Sequence, residues 1–232
     1  MTLGRPHRHL RETTSTNELA RKLATEKAPH GTLVTTDHQT AGRGRQGRTW
    51  TAPPRSSLLL SLVLREADPL LPLRAGLAVA DLAGESARVK WPNDVLVDGR
   101  KIAGILVEGR PQEGWTVLGI GVNAALDLAA MPEELRATAG SLGRRPDELA
   151  TVLAELLGHL EHRLAEPADE ALAALRERDA LLDRPLSWAG GAGTGAGIDE
   201  RGCLRVRLAD GRETAVDAGE VHLRGRTSTA AG

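Results

Sequence analysis

A loop of alternating glycine and arginine, GRGRQGRTW at residues 42–50, is the segment of this sequence best suited to chemistry. Its glycines let the backbone approach a ligand closely, and its arginines offer forked donors to phosphate or carboxylate groups. The letters also match Gly-x-Gly-x-x-Gly, but a dinucleotide site needs a helix there, and Pro53 and Pro54 exclude one. The loop therefore predicts an anion-binding backbone, with a solvated basic loop as the alternative.

Three further segments carry polar residues close to predicted strands: KWPND at 90–94, KIAGILVE at 101–108 and GIGVN at 119–123. Taken singly, they have ordinary explanations, such as an Asx turn at 93–94 or an edge lysine at 101. However, the chain has only four lysines and three asparagines, and two of the lysines and all the asparagines lie in these segments and in STN at 15–17. Together they predict a site for a phosphate-bearing ligand, with Asp94 available to magnesium.

Composition narrows the classes of protein to which this chain can belong. The 232 residues carry 30 basic and 31 acidic side chains, and this net charge of −1 does not favour a nucleic-acid partner. The absence of Phe and Tyr argues against an aromatic surface that stacks single-stranded nucleic acid. A single cysteine, Cys203, excludes an internal disulfide and fits a reducing cytoplasm. No apolar run approaches the roughly 20 residues that span a bilayer, so we expect a cytoplasmic protein.

The elements that must position these segments alternate between helices and strands. Leucine spacing and capping residues predict helices that start at Ser15 and that cover residues 73–82, 132–137, 146–165 and 169–179. Apolar runs predict strands at 32–36, 56–64, 89–91, 95–97, 102–107 and 115–122, with a hairpin turn at Asp98-Gly99. The expected architecture is α+β, a mixed or antiparallel sheet with helices packed against it.

The composition changes near Asp183. Residues 185–224 are rich in glycine and in short strand-like runs, with a turn at Asp210-Gly211, and they predict a small β-barrel. Residues 226–232 are polar, and we expect a disordered tail there.

Five segments, in this order and spacing, resemble the catalytic domain of the biotin–protein ligase (holocarboxylase synthetase) family. The family pattern is STN, GRGRxGRxW, KWPND, KxxGILxE and GxGxN, and the resemblance covers residues 12–224. It implies a fold similar to that of class II aminoacyl-tRNA synthetases. It also implies a catalytic biotin- and ATP-binding domain at 1–182 and an SH3-like barrel at 183–225.

The resemblance divides the segments between two substrates. The residues implied to bind biotin are Ser15, Thr16, Asn17, Gln39, Gly42, Arg43, Arg45, Trp50, Lys101, Gly104 and Leu106. The residues implied to bind ATP or the adenylate are Arg43, Arg45, Arg48, Lys90, Asn93, Asp94, Lys101 and Asn123. Arg45 and Lys101 are implied to be catalytic, and Asp94 is implied to hold Mg²⁺ through water. We also expect Trp50 and Trp91 to shape the ligand pocket.

The activity implied by the resemblance is the ATP-dependent formation of biotinyl-5′-AMP, followed by transfer of biotin to a lysine. The implied acceptor is a biotin carboxyl carrier protein or domain of an acetyl-CoA or related carboxylase. We expect a monomer or weak homodimer without nucleic-acid or membrane partners.

Two alternatives remain open. A lipoate–protein ligase shares the fold and the acyl-adenylate chemistry, although the arginine loop and KWPND favour biotin. A biotin-sensing transcriptional regulator is the second alternative. We expect a single-function ligase instead, because the first motif begins at Ser15 and leaves no room for a preceding DNA-binding module.

Overall fold

The computed structural model describes residues 2–66 and 68–223. Its larger sheet has seven strands, in the spatial order β1-β2-β3-β7-β6-β5-β4. The strands are β1 (His7–Leu10), β2 (Thr32–Thr36), β3 (Leu58–Leu64), β4 (Arg88–Lys90), β5 (Asp94–Val97), β6 (Arg100–Arg110) and β7 (Trp115–Val122). β1 and β2 are parallel, and the other neighbouring strands pair antiparallel. The sheet is therefore mixed, as the sequence predicts.

Five helices accompany this sheet: α1 (Thr16–Thr25), α2 (Leu71–Ala83), α3 (Glu133–Arg136), α4 (Leu149–Ala165) and α5 (Ala168–Glu177). Side chains alternate between the two faces of a strand, so that each face has its own core. Leu33 and Leu62 belong to the core that also includes α2 and α4 residues, whereas Val34 and Val63 pack with Ala20 of α1. The sheet is thus covered by helices on both faces.

The centre of the sheet positions the glycine-rich segments. Every residue of β3 is buried, and Ser61 at its midpoint lies opposite Gly119 of β7. In the next pair of strands, Gly104 of β6 lies opposite Gly121 of β7. Three glycines consequently leave a shallow area on one face of the sheet.

A second sheet has five strands, in the order β11-β10-β9-β8-β12. Its strands are β8 (Pro185–Trp188), β9 (Gly191–Ile198), β10 (Leu204–Arg207), β11 (Glu213–Val216) and β12 (His222–Leu223). The prediction of a closed barrel is not confirmed, because the edge strands β11 and β12 do not pair with each other within the described residues. Instead, Leu186, Leu204 and Val206 pack in the same core as the larger sheet, so a neighbour covers this sheet.

Most predicted elements are confirmed, and the differences have local causes. β1 was missed because its sequence, HRHL, lacks an apolar alternation. The predicted helix at 146–165 begins with a 3₁₀ turn at Pro146–Glu148, and α4 starts only at Leu149. The Asp98-Gly99 turn has positive φ at both residues (50° and 76°), as a two-residue hairpin loop requires. The predicted tail at 226–232 lies outside the described residues.

None of the helices found among the described residues combines the length and the apolar character that a membrane crossing requires.

Candidate functional site

The sequence motifs converge on one cleft that is open to solvent. The expected site residues that line it are Ser15, Thr16, Asn17, Gln39, Arg43, Arg45, Arg48, Trp50, Lys90, Asn93, Asp94, Lys101, Gly104 and Leu106. They come from the start of α1, the β2–β3 connection that contains the 42–50 loop, the end of β4, the turn and first residue that lead into β5, and β6. Residues from distant parts of the sequence therefore share a single cavity.

Two glycines on neighbouring strands, Gly104 and Gly121, form the floor of the cleft. The Trp50 indole lies directly on this floor, because a Cβ added at Gly121 would be 2.7 Å from the ring and one added at Gly104 would be 3.0 Å from it. Any larger residue at either position would displace the indole. The Trp50 Nε1 group is buried and has no hydrogen-bond partner among the described residues.

Cations and one carboxylate form the charged end of the cleft. Lys101 Nζ lies 2.6 Å from Asp94 Oδ1, and Lys90 Nζ lies 3.7 Å from Asp94 Oδ2. Lys101 Nζ is also 5.6 Å from the centroid of the Trp50 ring, within the range of a cation–π contact. Two ammonium groups thus face a single carboxylate, which leaves positive charge for an anionic ligand.

The 42–50 loop lies over the cleft and contains no α-helix. A three-residue 3₁₀ turn, Arg45–Gly47, forms its tip, and Gln46 there has a φ of 54°. Arg45 Nη1 donates to Asn93 Oδ1 at 3.0 Å, and Arg48 forms an ion pair with Glu220. The loop is therefore attached both to the β4–β5 turn and to the second sheet.

Hydroxyl and amide groups form the uncharged end. Gln39 Oε1 accepts hydrogen bonds from the Thr16 backbone N–H at 2.7 Å and from Thr16 Oγ1 at 3.1 Å. Ser61 Oγ lies 2.8 Å from Thr16 Oγ1 and 2.6 Å from Asn17 Oδ1. This end offers neutral donors and acceptors, in contrast to the charged end.

Three residues expected at the pocket do not line it. Asn123 is buried, and its amide donates to Gly140 O at 3.0 Å, which holds the segment after β7 in place. Gly42 lies behind Trp50, where a side chain would collide with the Trp50 carbonyl. Trp91 is 3% exposed, and its Nε1 donates to Gly202 O at 3.0 Å in the second sheet.

Other residues near the cleft lie outside the sequence motifs or have contacts that the motifs do not predict. Glu220, Val221 and His222 line it from the second sheet, and only the fold brings them there. Ser61 had a usable signal, because it is the one polar residue in the apolar run 58–64. Glu108 stands in the quoted motif at 101–108, yet its contact with Asn17, at 2.9 Å, could not be read from spacing.

The site combines a glycine–arginine loop with a glycine floor on a mixed sheet that helices cover on both faces. Its chemistry suits a ligand with a neutral polar part and an anionic or phosphorylated part. Comparison with known proteins agrees with this chemistry. The model of the biotin/lipoate A/B protein ligase family matches residues 10–124.

Relatives extend the match over nearly the whole chain. The biotin–[acetyl-CoA-carboxylase] ligase of Mycobacterium tuberculosis is 37% identical over 241 residues, which cover 92% of this chain and 87% of that protein. The ligase of the same name from Paracoccus denitrificans is 35% identical, covering 93% of this chain and 100% of that protein. The bifunctional ligase/repressor BirA of Bacillus subtilis is 40% identical over 146 residues, and the match spans 58% of this chain and 45% of that protein.

The fold agrees as well. The solved biotin protein ligase from Aquifex aeolicus in complex with biotin and ATP superposes with a TM-score of 0.82 at 27% identity, covering 95% of this chain and 99% of that one. The chain belongs to the biotin/lipoate A/B protein ligase family.

Proposed function

We propose that this protein is a biotin–protein ligase, which activates biotin with ATP and transfers it to a lysine of a carrier domain. The observation that carries the proposal is the convergence of the chemistry-bearing segments on one cleft with a neutral and a cationic end. Biotin has a matching shape, a neutral ureido head and a carboxylate tail. The names of the Mycobacterium and Paracoccus relatives support this substrate and acetyl-CoA carboxylase as the source of the acceptor.

Each end of the cleft has its own role in this proposal. Ser15, Thr16, Asn17 and Gln39 bind or support the ureido head, while Gly104, Leu106 and Trp50 contact the middle of the ligand. Arg43, Arg45 and Lys101 hold the biotin carboxylate and the α-phosphate. Arg48, Lys90, Asn93 and Asp94 serve the nucleotide end. Gly42 and Asn123 act by supporting the loop and the segment that follows β7.

The reaction then consists of two displacements. A biotin carboxylate oxygen attacks the α-phosphorus of ATP, forming a C–O–P bond and breaking the bond to the pyrophosphate that leaves. The neutral amine of the acceptor lysine next attacks the acyl carbon, AMP leaves, and the amine loses a proton. Lys101 and the arginines lower the barrier by positioning the reactants and neutralising the charge of the transition state. The loop keeps water away from the mixed anhydride.

Magnesium is expected to accompany ATP. Asp94 and Glu220 are the carboxylates that line the cleft, and nowhere in the described part of the chain do three His, Cys, Asp or Glu side chains converge as a metal site. This donor set fits Mg²⁺, which keeps water and phosphate oxygens as ligands. Asp94 would hold the ion through water, and the bound ion would neutralise phosphate charge.

The finer organisation is also part of the proposal. Residues 1–182 form the catalytic domain, related to the class II synthetase fold, and 183–225 form a small β domain of the SH3-like type. We propose a cytoplasmic monomer or weak homodimer. The near-zero net charge supports a protein partner in preference to nucleic acid.

Labelling of an acceptor tests the function directly. The purified protein, ATP and Mg²⁺ are incubated with a biotin carboxyl carrier domain and either biotin or lipoate. We expect biotin on the acceptor lysine and no labelling of a carrier in which that lysine is arginine. Preferential transfer of lipoate would instead assign the chain to the lipoate branch of the family, and no transfer of either would contradict the proposal.

A further inference from the structure

Asn17 lies at the neutral end of the cleft, but its amide is occupied by the protein itself. Its Nδ2 group donates to Glu108 Oε2 at 2.9 Å and to Leu106 O at 3.4 Å. Its Oδ1 atom lies 2.6 Å from Ser61 Oγ. Gly119 allows this arrangement, because any side chain there would collide with Asn17 Oδ1. The polar atoms of Asn17 are therefore engaged within the protein.

Glu108 determines which way this amide faces. An ionised carboxylate only accepts hydrogen bonds, and so does the Leu106 carbonyl. The Asn17 NH₂ group must consequently face both of them, and its oxygen must face Ser61. Arg21 Nη1 lies 3.3 Å from Glu108 Oε1, so that each carboxylate oxygen of Glu108 has its own donor.

The orientation of Asn17 passes to the residues that line the cleft. Asn17 Oδ1 can only accept a hydrogen bond, so the Ser61 hydroxyl donates its single hydrogen to it. Toward Thr16, the Ser61 oxygen is then left only as an acceptor. The Thr16 hydroxyl then donates to Ser61 or to Gln39 Oε1 and turns a lone pair to the cleft. Gln39 Oε1 is occupied by Thr16, so that its Nε2 group remains as a donor. The Thr16 hydroxyl oxygen thus offers the ligand an acceptor, and the neighbouring Gln39 Nε2 group offers it a donor.

We propose that Glu108 is a positioning residue that sets the hydrogen-bond polarity of the ligand-head pocket and thereby selects a cyclic urea. This inference rests on the proposed function and names how its substrate is recognised. A urea presents a carbonyl acceptor next to N–H donors. It complements the Gln39 amide, which the Thr16 backbone N–H orients, and the Thr16 hydroxyl, whose polarity Glu108 sets through Asn17 and Ser61. The dithiolane ring of lipoate has neither a carbonyl nor an N–H group, so this hydrogen-bond pattern does not strengthen its binding.

A reciprocal exchange of the two side chains tests the proposal. Glu108→Gln lets Asn17 turn over, because a glutamine amide can donate as well as accept. Asn17→Asp places two carboxylates in contact. The double variant restores the pattern, because the new amide at position 108 donates to the new carboxylate at position 17, whose other oxygen still accepts from Ser61. Glu113→Gln is the matched control, since Glu113 forms an equivalent pair with Arg110 outside the cleft at 2.8 Å.

The KM values for biotin and for ATP are measured by pyrophosphate release. From the cost of an unpaired buried polar group, we expect the biotin KM to rise about tenfold in Glu108→Gln and about a hundredfold in Asn17→Asp. In the double variant we expect the biotin KM to be at least about tenfold lower than in Asn17→Asp alone. The ATP KM should remain unchanged in all of them, which a general structural defect would not allow.

Two results would overturn the inference: an unchanged biotin KM in Glu108→Gln, or a double variant with less than that tenfold recovery. The proposed function has a separate test within the same assay. If the unmodified protein released no pyrophosphate with biotin and ATP, the function itself would be contradicted, whatever the variants did.

Discussion

At the scale of single residues, Arg45 and Lys101 have different positions and different proposed roles in the cleft. Arg45 connects the tip of the loop to the β4–β5 turn through Asn93 Oδ1. Lys101 stands on the sheet itself, 2.6 Å from Asp94. Changes at these two positions should therefore affect different steps of the reaction.

Replacing Arg45 should release the adenylate. The Arg45→Gly variant loses the contact with Asn93, so the loop opens more often, and free biotinyl-5′-AMP then modifies lysines without selection. We expect the dissociation rate of the adenylate to increase by about tenfold or more, as the loss of a charge-assisted hydrogen bond implies. Arg201→Gly, at a 78%-exposed arginine in a turn, is the control. Unchanged adenylate retention in a dissociation assay would contradict the role of the loop.

Replacing Lys101 should block the first step. The Lys101→Ala variant removes the cation that we propose to hold the biotin carboxylate and the α-phosphate. Loss of one such electrostatic contact typically costs about 10²- to 10³-fold in kcat. Biotin-dependent pyrophosphate release measures this step, and a normal rate would count against the assignment of Lys101.

At the scale of elements, the strands place glycines where the side chains of Trp50 and Asn17 need space. Gly119, Gly121 and Gly104 lie on adjacent strands in fixed register. The sheet, and no flexible loop, therefore determines the shape of the floor.

The glycine at 119 should tolerate no side chain. In Gly119→Ala the added methyl group would collide with Asn17 Oδ1, so we expect weaker biotin binding and a loss of about 1–3 kcal/mol in the free energy of unfolding. Gly158→Ala in α4 is the control, because no atom lies within 4 Å of the added Cβ. For Gly158→Ala, chemical denaturation should show a free energy of unfolding that is higher by about 0.5–1 kcal/mol. Equal stability of the two variants would contradict the packing described here.

The edge strand β1 should make folding sensitive to acid. Partial burial, and to a smaller degree the neighbouring His9, lower the pKa of His7 below its ordinary value of 6.5. The unfolded chain then binds the proton more readily, so the free energy of unfolding should fall as the pH decreases below about 6.5. His7→Gln should weaken this dependence. Identical pH profiles of denaturation for the unmodified protein and the variant would contradict the prediction.

Sequence patterns predicted the elements with strong periodicity or turn chemistry, such as β3, α4 and the Asp98-Gly99 turn. They could not predict β1, whose stability comes from pairing with β2. The residues of the cleft were predictable where they stand in motifs, as Lys101 does. Glu220 and His222 were not, because a second sheet, distant in the sequence, brings them to the cleft.

At the scale of the whole molecule, the two sheets share one core and one site. Trp91 joins them, because its indole donates to the Gly202 carbonyl at 3.0 Å directly beside the β4–β5 turn. Gly202 has a φ of 82°, and a Cβ there would be 2.6 Å from Leu70 Cδ2, so the approach depends on glycine. Arg48 and Glu220 form a second connection across the cleft. The part of the chain that carries the second sheet thus contacts both the β4–β5 turn and the 42–50 loop.

Formation of the adenylate is the most direct measurement of the central claim. The protein is incubated with biotin, Mg²⁺ and ATP labelled at the α-phosphate, without an acceptor, and the bound products are separated. We predict labelled biotinyl-5′-AMP, at most one per chain, with an equal amount of pyrophosphate, and none when biotin is omitted. Label that remains in ATP, or that appears in AMP alone at the same rate without biotin, would contradict the claim that this cleft activates biotin.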